Sequence, residues 1–278
     1  MSYDVGDLRQ HAWLAIPENQ PTPPVLVANH GYHPDPPRYG FDAQGRNRRP
    51  GDYYRSAIQA YVDAGFATLV ADYRGHNASE GFEFTQSAFA SNYYAQDVLS
   101  LMSLLSELEH SLDLDNVFMW GHSMGGEVSL IALLATPANA ASLWSTMGGT
   151  RQQQAAFYGR NGGGSTDDTT SERFARTDVD AQALEPTLHL SALRTPLLLQ
   201  HAVADQATAF EWSVQIASQL RALGHPVQLV SYEGSSHLFE GEQFAQAVAR
   251  DVTFFRQHLR QAAPEPPQAC SIKLRKSL

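Results

Sequence analysis

Gly121-His122-Ser123-Met124-Gly125 is the stretch of this sequence whose residue types and spacing most directly permit chemistry. It follows the apolar run Val117-Phe118-Met119-Trp120 and precedes Gly126-Glu127-Val128-Ser129-Leu130-Ile131-Ala132-Leu133-Leu134, which reads as a helix. Strand, Gly-x-Ser-x-Gly, helix is the context of a nucleophile elbow, a turn so sharp that the serine hydroxyl is pushed out above the sheet. Glycines two residues before and two after fit where a Cβ would clash. The corresponding chemistry is attack on an acyl carbon. A serine hydroxyl is a weak nucleophile, so Ser123 needs a base, and the base needs an orienting carboxylate. The tetrahedral oxyanion needs two donors. The backbone N–H of Met124 is expected to be one, because N–H groups at a helix start have no helical acceptor. The second is expected from Asn29-His30-Gly31-Tyr32-His33, where Gly31 permits a tight path and leaves the N–H of Tyr32 as donor. The Tyr32 phenol could instead reach the oxyanion or line the acyl pocket. His30 reads as a packing residue of that loop.

Short apolar runs alternate with amphipathic stretches along the chain, the pattern of a mostly parallel sheet with helices on both faces. Residues 8–16 read as an antiparallel edge strand closed by Pro17. Val25-Leu26-Val27-Ala28-Asn29 reads as the first buried strand and Ala67-Thr68-Leu69-Val70-Ala71-Asp72 as the second, separated by a helix over 54–64 that Gly65 ends. A helix over 92–110 leads to the strand at Val117. Further strands are expected at 143–147, 196–200 and 227–232, with helices over 210–223 and 241–261. Ligands of open α/β sheets bind beyond the carboxyl ends of the strands. Asp205 stands just past one strand end, and His237, in Glu233-Gly234-Ser235-Ser236-His237, just past the next. That position makes His237 the expected base and Asp205 its carboxylate, with Asp178 and Asp180 as rival acids. Two segments break the rhythm. Residues 38–52 carry Arg38, Arg46, Arg48 and Arg49 among Tyr39, Phe41, Tyr53 and Tyr54, and read either as a solvated loop braced by aromatics or as part of the substrate pocket. Residues 148–193, with Asn161-Gly162-Gly163-Gly164-Ser165, read as a lid-like insertion. Trp144, Phe157, Tyr158 and Phe174 are expected to form its apolar ceiling over Ser123.

The 278 residues, 43% of them hydrophobic, are enough to bury one large core, and the expected organisation is one domain over 1–262 with a flexible tail over 263–278. A formal charge of −10 argues against nucleic acid or an anionic membrane as partner. The lone Cys270 excludes an internal disulfide. No Cys/His cluster has zinc-ligand spacing, and the acyl-enzyme chemistry expected of Ser123 uses neither a metal nor an organic cofactor. The N-terminus lacks the basic start and apolar core of a signal peptide, and no apolar run approaches the roughly eighteen residues of a membrane span. The expectation is a soluble cytoplasmic protein, with a removed signal peptide leaving no trace and self-association left open.

The chain resembles the α/β-hydrolase superfamily, specifically the prolyl oligopeptidase and dienelactone-hydrolase-like branch. The resemblance rests on His30-Gly31, on Asp72-Tyr73-Arg74-Gly75-His76 with Ser79 and Gly81, and on Gly121-His122-Ser123-Met124-Gly125-Gly126. It continues through Thr195-Pro196-Leu197-Leu198-Leu199-Gln200-His201 with Asp205, and Tyr232-Glu233-Gly234 with His237. It implies an α/β-hydrolase fold with Ser123, Asp205 and His237 as nucleophile, acid and base. Arg74 and Ser79 read as loop braces. Ala202 and Asn77 stand where the family usually has glycine, which bears on loop shape. About 24 residues precede the hydrolase strands, so the propeller that oligopeptidases use to admit peptides is not expected. The implied activity is hydrolysis of small-molecule carboxylic esters through an acyl-enzyme, on short-chain or aromatic esters. A small serine peptidase or amidase and a non-catalytic binding protein of the same fold are the alternatives.

Overall fold

Strands whose every residue is apolar or shielded belong in the middle of a sheet covered on both faces. The computed structural model, which describes residues 1–38, 51–108, 111–161, 183–234 and 236–260, builds such a sheet. Its eight strands are β1 (Ser2–Val5), β2 (Leu8–Ala15), β3 (Pro24–Asn29), β4 (Ala67–Asp72), β5 (Asp113–His122), β6 (Ala141–Trp144), β7 (Leu197–Ala202) and β8 (Val227–Tyr232). They lie in the order β1-β2-β4-β3-β5-β6-β7-β8. All of β3, β4, β6 and β7 is buried. The pairings from β4 through β8 are parallel, and β1 and β2 are antiparallel additions at one end. This is the α/β-hydrolase fold.

Helices α1 (Gly51–Asp63), α2 (Ala90–Ser103), α3 (Met124–Ala135), α4 (Arg151–Asn161), α5 (Phe210–Ala222) and α6 (Gly241–Gln257) follow in chain order. The two-residue period of the strands divides the core. Val25, Val27, Met119, Leu143, Leu197 and Leu199 join the layer that contains Val98, Val128 and Ile216 of α2, α3 and α5. Leu26, Ala28, Phe118, Trp120 and Leu198 join the layer that contains Tyr61 of α1 and Phe254 and Phe255 of α6.

The structure differs from the sequence reading in several places. Residues 8–16 are antiparallel but not the edge, because β1 pairs outside β2 through a two-residue turn in which Gly6 has φ 59°. Glycine at the first central position of such a turn matches the twist of a hairpin. The helix expected over 92–110 stops at Ser103, where the Ser103 hydroxyl donates back to Ser100 O at 2.7 Å, and a 3-10 turn, Leu105–Glu107, follows. Helix α4 occupies the start of the 148–193 segment, and 3-10 turns at Pro186–Leu188 and Leu190–Ala192 occupy its end. A buried ion pair fixes that start: Arg151 Nη1 donates to both oxygens of Glu127 in α3, at 3.0 and 3.1 Å. The Arg151 N–H donates to Glu185 Oε1 at 3.2 Å, so both ends of the segment are tied to the body. Trp144 is not part of a ceiling. It is fully buried on the α1/α6 side of the sheet, against Trp120 and Phe239 at 5.3 and 5.2 Å. Residue 144 ends β6, and the strand alternation sends its side chain into that layer. Phe174, Asp178, Asp180, most of 38–52 and the tail over 263–278 lie outside the described residues. Among the described residues, no helix is long and apolar enough to cross a membrane.

Candidate active site

Ser123 is the single residue between β5 and α3, and it holds φ 58° and ψ −125°. A side chain in that region costs about 1–3 kcal/mol and persists only where its surroundings impose it. Here they do. The Ser123 N–H donates to Trp144 O at 3.0 Å, and Ser123 O accepts from Gly126 and Met147 at 3.0 and 2.9 Å. A Cβ on Gly121 would collide with the carbonyl of Gly125, and one on Gly125 with the carbonyl of Asn29, so both positions require glycine. Met124 is the first residue of α3.

Asp205 lies in the turn after β7. Its Oδ1 accepts from the N–H groups of Ala207 and Thr208 at 2.8 and 3.0 Å. Its Oδ2 lies 2.8 Å from His237 Nδ1 and 2.9 Å from the Thr208 hydroxyl, with His201 Nε2 at 3.5 Å. The carboxylate is fully buried, whereas the His237 side chain is 22% exposed. Burial alone would raise the Asp205 carboxyl. Hydrogen bonds from His201, His237 and the Thr208 backbone outweigh it and hold the group well below the usual carboxylate range. Ionised Asp205 can only accept, so His237 Nδ1 carries a proton, and in the neutral imidazole Nε2 keeps the lone pair.

His237 follows β8 and leans on the elbow. Its ring centroid is 4.6 Å from that of His122, and His122 Nε2 lies 3.0 Å from His237 O. The loop after β3 approaches from the other side, where a Cβ built on Gly31 would stand 3.0 Å from Ser123 Cβ. Tyr32 in that loop is 60% exposed. His30 is buried, stacked on Tyr73 at 4.1 Å, with Nδ1 2.9 Å from Gly31 O. The structure thus brings Ser123, Asp205, His237, Met124 and the Tyr32 loop to one end of the parallel strands.

Arg74 and Ser79 act within the fold. Arg74 Nη2 donates to Asp97 Oδ1 at 2.6 Å in a buried ion pair, and the Ser79 hydroxyl donates to Asp72 O at 2.8 Å. Sequence reasoning missed Thr208, Tyr54 and the partners of His122. Thr208 was accessible to it: an aspartate whose side chain caps N–H groups two and three residues ahead is a recognised local signal. Tyr54 and His122 meet across 68 residues, and nothing local announces that. Among the described residues, no group of three or more His, Cys, Asp or Glu side chains is arranged to hold a metal ion.

Comparison with known proteins agrees with this architecture. The prolyl oligopeptidase family matches the chain over residues 52–262. Among solved structures, the acylaminoacyl peptidase of Pyrococcus horikoshii is similar with a TM-score of 0.73 and 20% identity, over 95% of this chain and 42% of that one. Est1E from Butyrivibrio proteoclasticus, solved with ferulic acid bound, is similar with a TM-score of 0.66 and 18% identity, over 93% of this chain and 98% of that one. A puromycin-hydrolyzing peptidase of Mycobacterium tuberculosis is similar with a TM-score of 0.68 and 18% identity, over 90% and 38%. The chain therefore spans less than half of either peptidase and nearly all of Est1E. No curated protein matches it by sequence.

Proposed function

The chain belongs to the prolyl oligopeptidase family of serine hydrolases, and from that premise we propose that it is a carboxylesterase acting through an acyl-enzyme on short-chain or aromatic esters. The observation that carries the reading is the 2.8 Å Asp205–His237 contact beside a serine in a strained turn. Ser123 Oγ attacks the ester carbonyl while His237 Nε2 takes its proton, and Asp205 stabilises the imidazolium. The backbone N–H groups of Met124 and Tyr32 receive the oxyanion. Collapse of the tetrahedral intermediate breaks the bond to the alkoxy oxygen, which leaves with the proton from His237. Water then enters by the same base, and the acid is released with Ser123 restored.

Support for ester over amide comes from the likeness to Est1E, which extends over 98% of that chain and whose bound ferulic acid is an aromatic carboxylic acid. The aromatic residues Phe157 and Tyr158 of α4, tilted and edge-on against Trp212 at 5.0 and 6.2 Å, would supply an apolar wall in the 148–193 segment. The peptidase alternative draws on the family itself and on the acylaminoacyl peptidase likeness. A substrate panel separates them. We expect hydrolysis of p-nitrophenyl acetate and butyrate and of simple hydroxycinnamate esters, with little turnover of aminoacyl-proline amides. Strong amide cleavage with negligible ester turnover would promote the peptidase reading. A folded protein that no fluorophosphonate labels at Ser123 would remove both.

A further inference from the structure

Four groups that are far apart in sequence form one hydrogen-bonded chain beneath the site. The Gly31 N–H donates to Tyr54 Oη at 2.8 Å. Tyr54 Oη lies 2.7 Å from His122 Nδ1, and His122 Nε2 lies 3.0 Å from His237 O. Donor and acceptor chemistry orders the protons along this chain. A carbonyl oxygen only accepts, so His122 Nε2 must carry a hydrogen. Burial, together with the neighbouring His237 imidazole, pushes His122 down to about 3, so its ring is neutral and holds a single proton. Nδ1 is therefore an acceptor, and the Tyr54 hydroxyl must donate to it. The same hydroxyl oxygen then accepts from Gly31, whose N–H can do nothing but donate.

We propose that Tyr54 and His122 are positioning residues, tying the backbone of the oxyanion loop at Gly31 to the backbone of the base's loop at His237 and so fixing the spacing of both across Ser123. The inference rests on the serine hydrolase reading of the site. Three features of the geometry support it. The link grips backbone at both ends, so the His237 ring stays free to serve the reacting oxygen while its loop is held. Both side chains are almost wholly buried, Tyr54 at 2% and His122 at 1% exposed, where a hydrogen bond keeps most of its strength. Finally, Gly31 is the one residue type that lets the loop come so close, since a Cβ there would stand 2.5 Å from Tyr54 Oη.

Tyr54→Phe removes the hydroxyl and keeps the ring against Trp120. Removing an oxyanion donor outright costs on the order of 10²–10³ in kcat. Loosening the loop that carries it should cost about tenfold to hundredfold in kcat, with KM moving less than about threefold. The rate of fluorophosphonate labelling at Ser123 should fall by a similar factor, because the phosphonyl oxygen uses the same donors. In the wild-type protein, ¹⁵N NMR should show neutral His122 protonated at Nε2, with Nδ1 accepting. A Tyr54→Phe variant with wild-type kcat and labelling rate, even one that melts earlier, would overturn the proposal and leave the hydrolase reading standing. A His122 proton on Nδ1 would overturn it as well, and that measurement decides the matter if the variant does not fold. A folded wild-type protein that resists labelling would instead overturn the hydrolase reading and this inference with it.

Discussion

Ser123 occupies a backbone conformation that serine avoids, and the two side chains that serve it, Asp205 and His237, are placed by partners that are themselves buried. Such residues act as a unit, so their removal is far from additive. Ser123→Ala and His237→Ala should each lower kcat by on the order of 10⁶-fold. Asp205→Asn should cost on the order of 10⁴-fold, because an amide facing Nδ1 favours the wrong imidazole tautomer. Steady-state kinetics on p-nitrophenyl butyrate measures all three, and near-normal turnover by Asp205→Asn would require another acid, with Asp178 and Asp180 tested next. At this scale the sequence was most readable where chemistry is local. Gly-x-Ser-x-Gly announces Ser123 because the turn itself demands the glycines. Asp205 and His237 could be picked out by their places after strands. Tyr54 could not, since its role depends on Gly31 and His122 arriving from two other parts of the chain.

Between elements, polar groups buried under the sheet set conditions on stability. Asp251 of α6 lies in the apolar layer below β7, where Tyr61 Oη of α1 donates to its Oδ2 at 2.5 Å and Gln200 Nε2 of β7 donates to its Oδ1 at 2.6 Å. Burial pushes its carboxyl from the ordinary 3.8 up to about 7. The folded protein thus keeps a proton that the unfolded chain releases, so stability falls as pH rises from about 4 to about 7, by up to about 4 kcal/mol, and levels off above. Asp251→Asn keeps an acceptor for Gln200 and offers Tyr61 a donor without the charge. It should flatten this slope and raise Tm at pH 8 by several degrees. Urea titrations of both proteins at pH 4.5, 6 and 8 provide the test, and equal slopes would mean that Asp251 stays ionised throughout. Burial made elements legible only in part: half-buried β8 was read at its observed bounds, whereas wholly buried β6, expected over 143–147, spans Ala141–Trp144. The sequence reading placed β4 at the observed bounds and β3 within one residue, because strands covered on both faces are unbroken apolar runs. Helix α4 was missed because Arg151-Gln152-Gln153-Gln154 shows no apolar face. What anchors its start is the ion pair to Glu127, a long-range contact that no periodicity encodes.

Across the whole molecule, 29 acidic against 19 basic residues give a formal charge of −10, and the resulting field acts on any charged substrate before contact. The reacting centre is one ionised carboxylate paired with one histidine, so it adds no net cation of its own in the resting state. An ester bearing a carboxylate should therefore be repelled on approach, and a neutral ester of the same size should not. Raising the ionic strength from about 0.02 to 0.5 M shortens the screening length from about 20 Å to below 5 Å. kcat/KM for the anionic ester should then rise by about twofold or more, while that for the neutral ester stays level. Arg38, Arg46, Arg48 and Arg49 bear directly on this outcome, since they follow β3 in the sequence and lead into α1. Were these arginines to receive a substrate carboxylate, the local attraction would exceed the diffuse repulsion and salt would lower kcat/KM for the anionic ester. The sign of the salt effect thus decides between a site governed by the overall charge and one with an arginine-lined entrance. Stopped-flow measurement of kcat/KM on a matched ester pair across that salt range would read it.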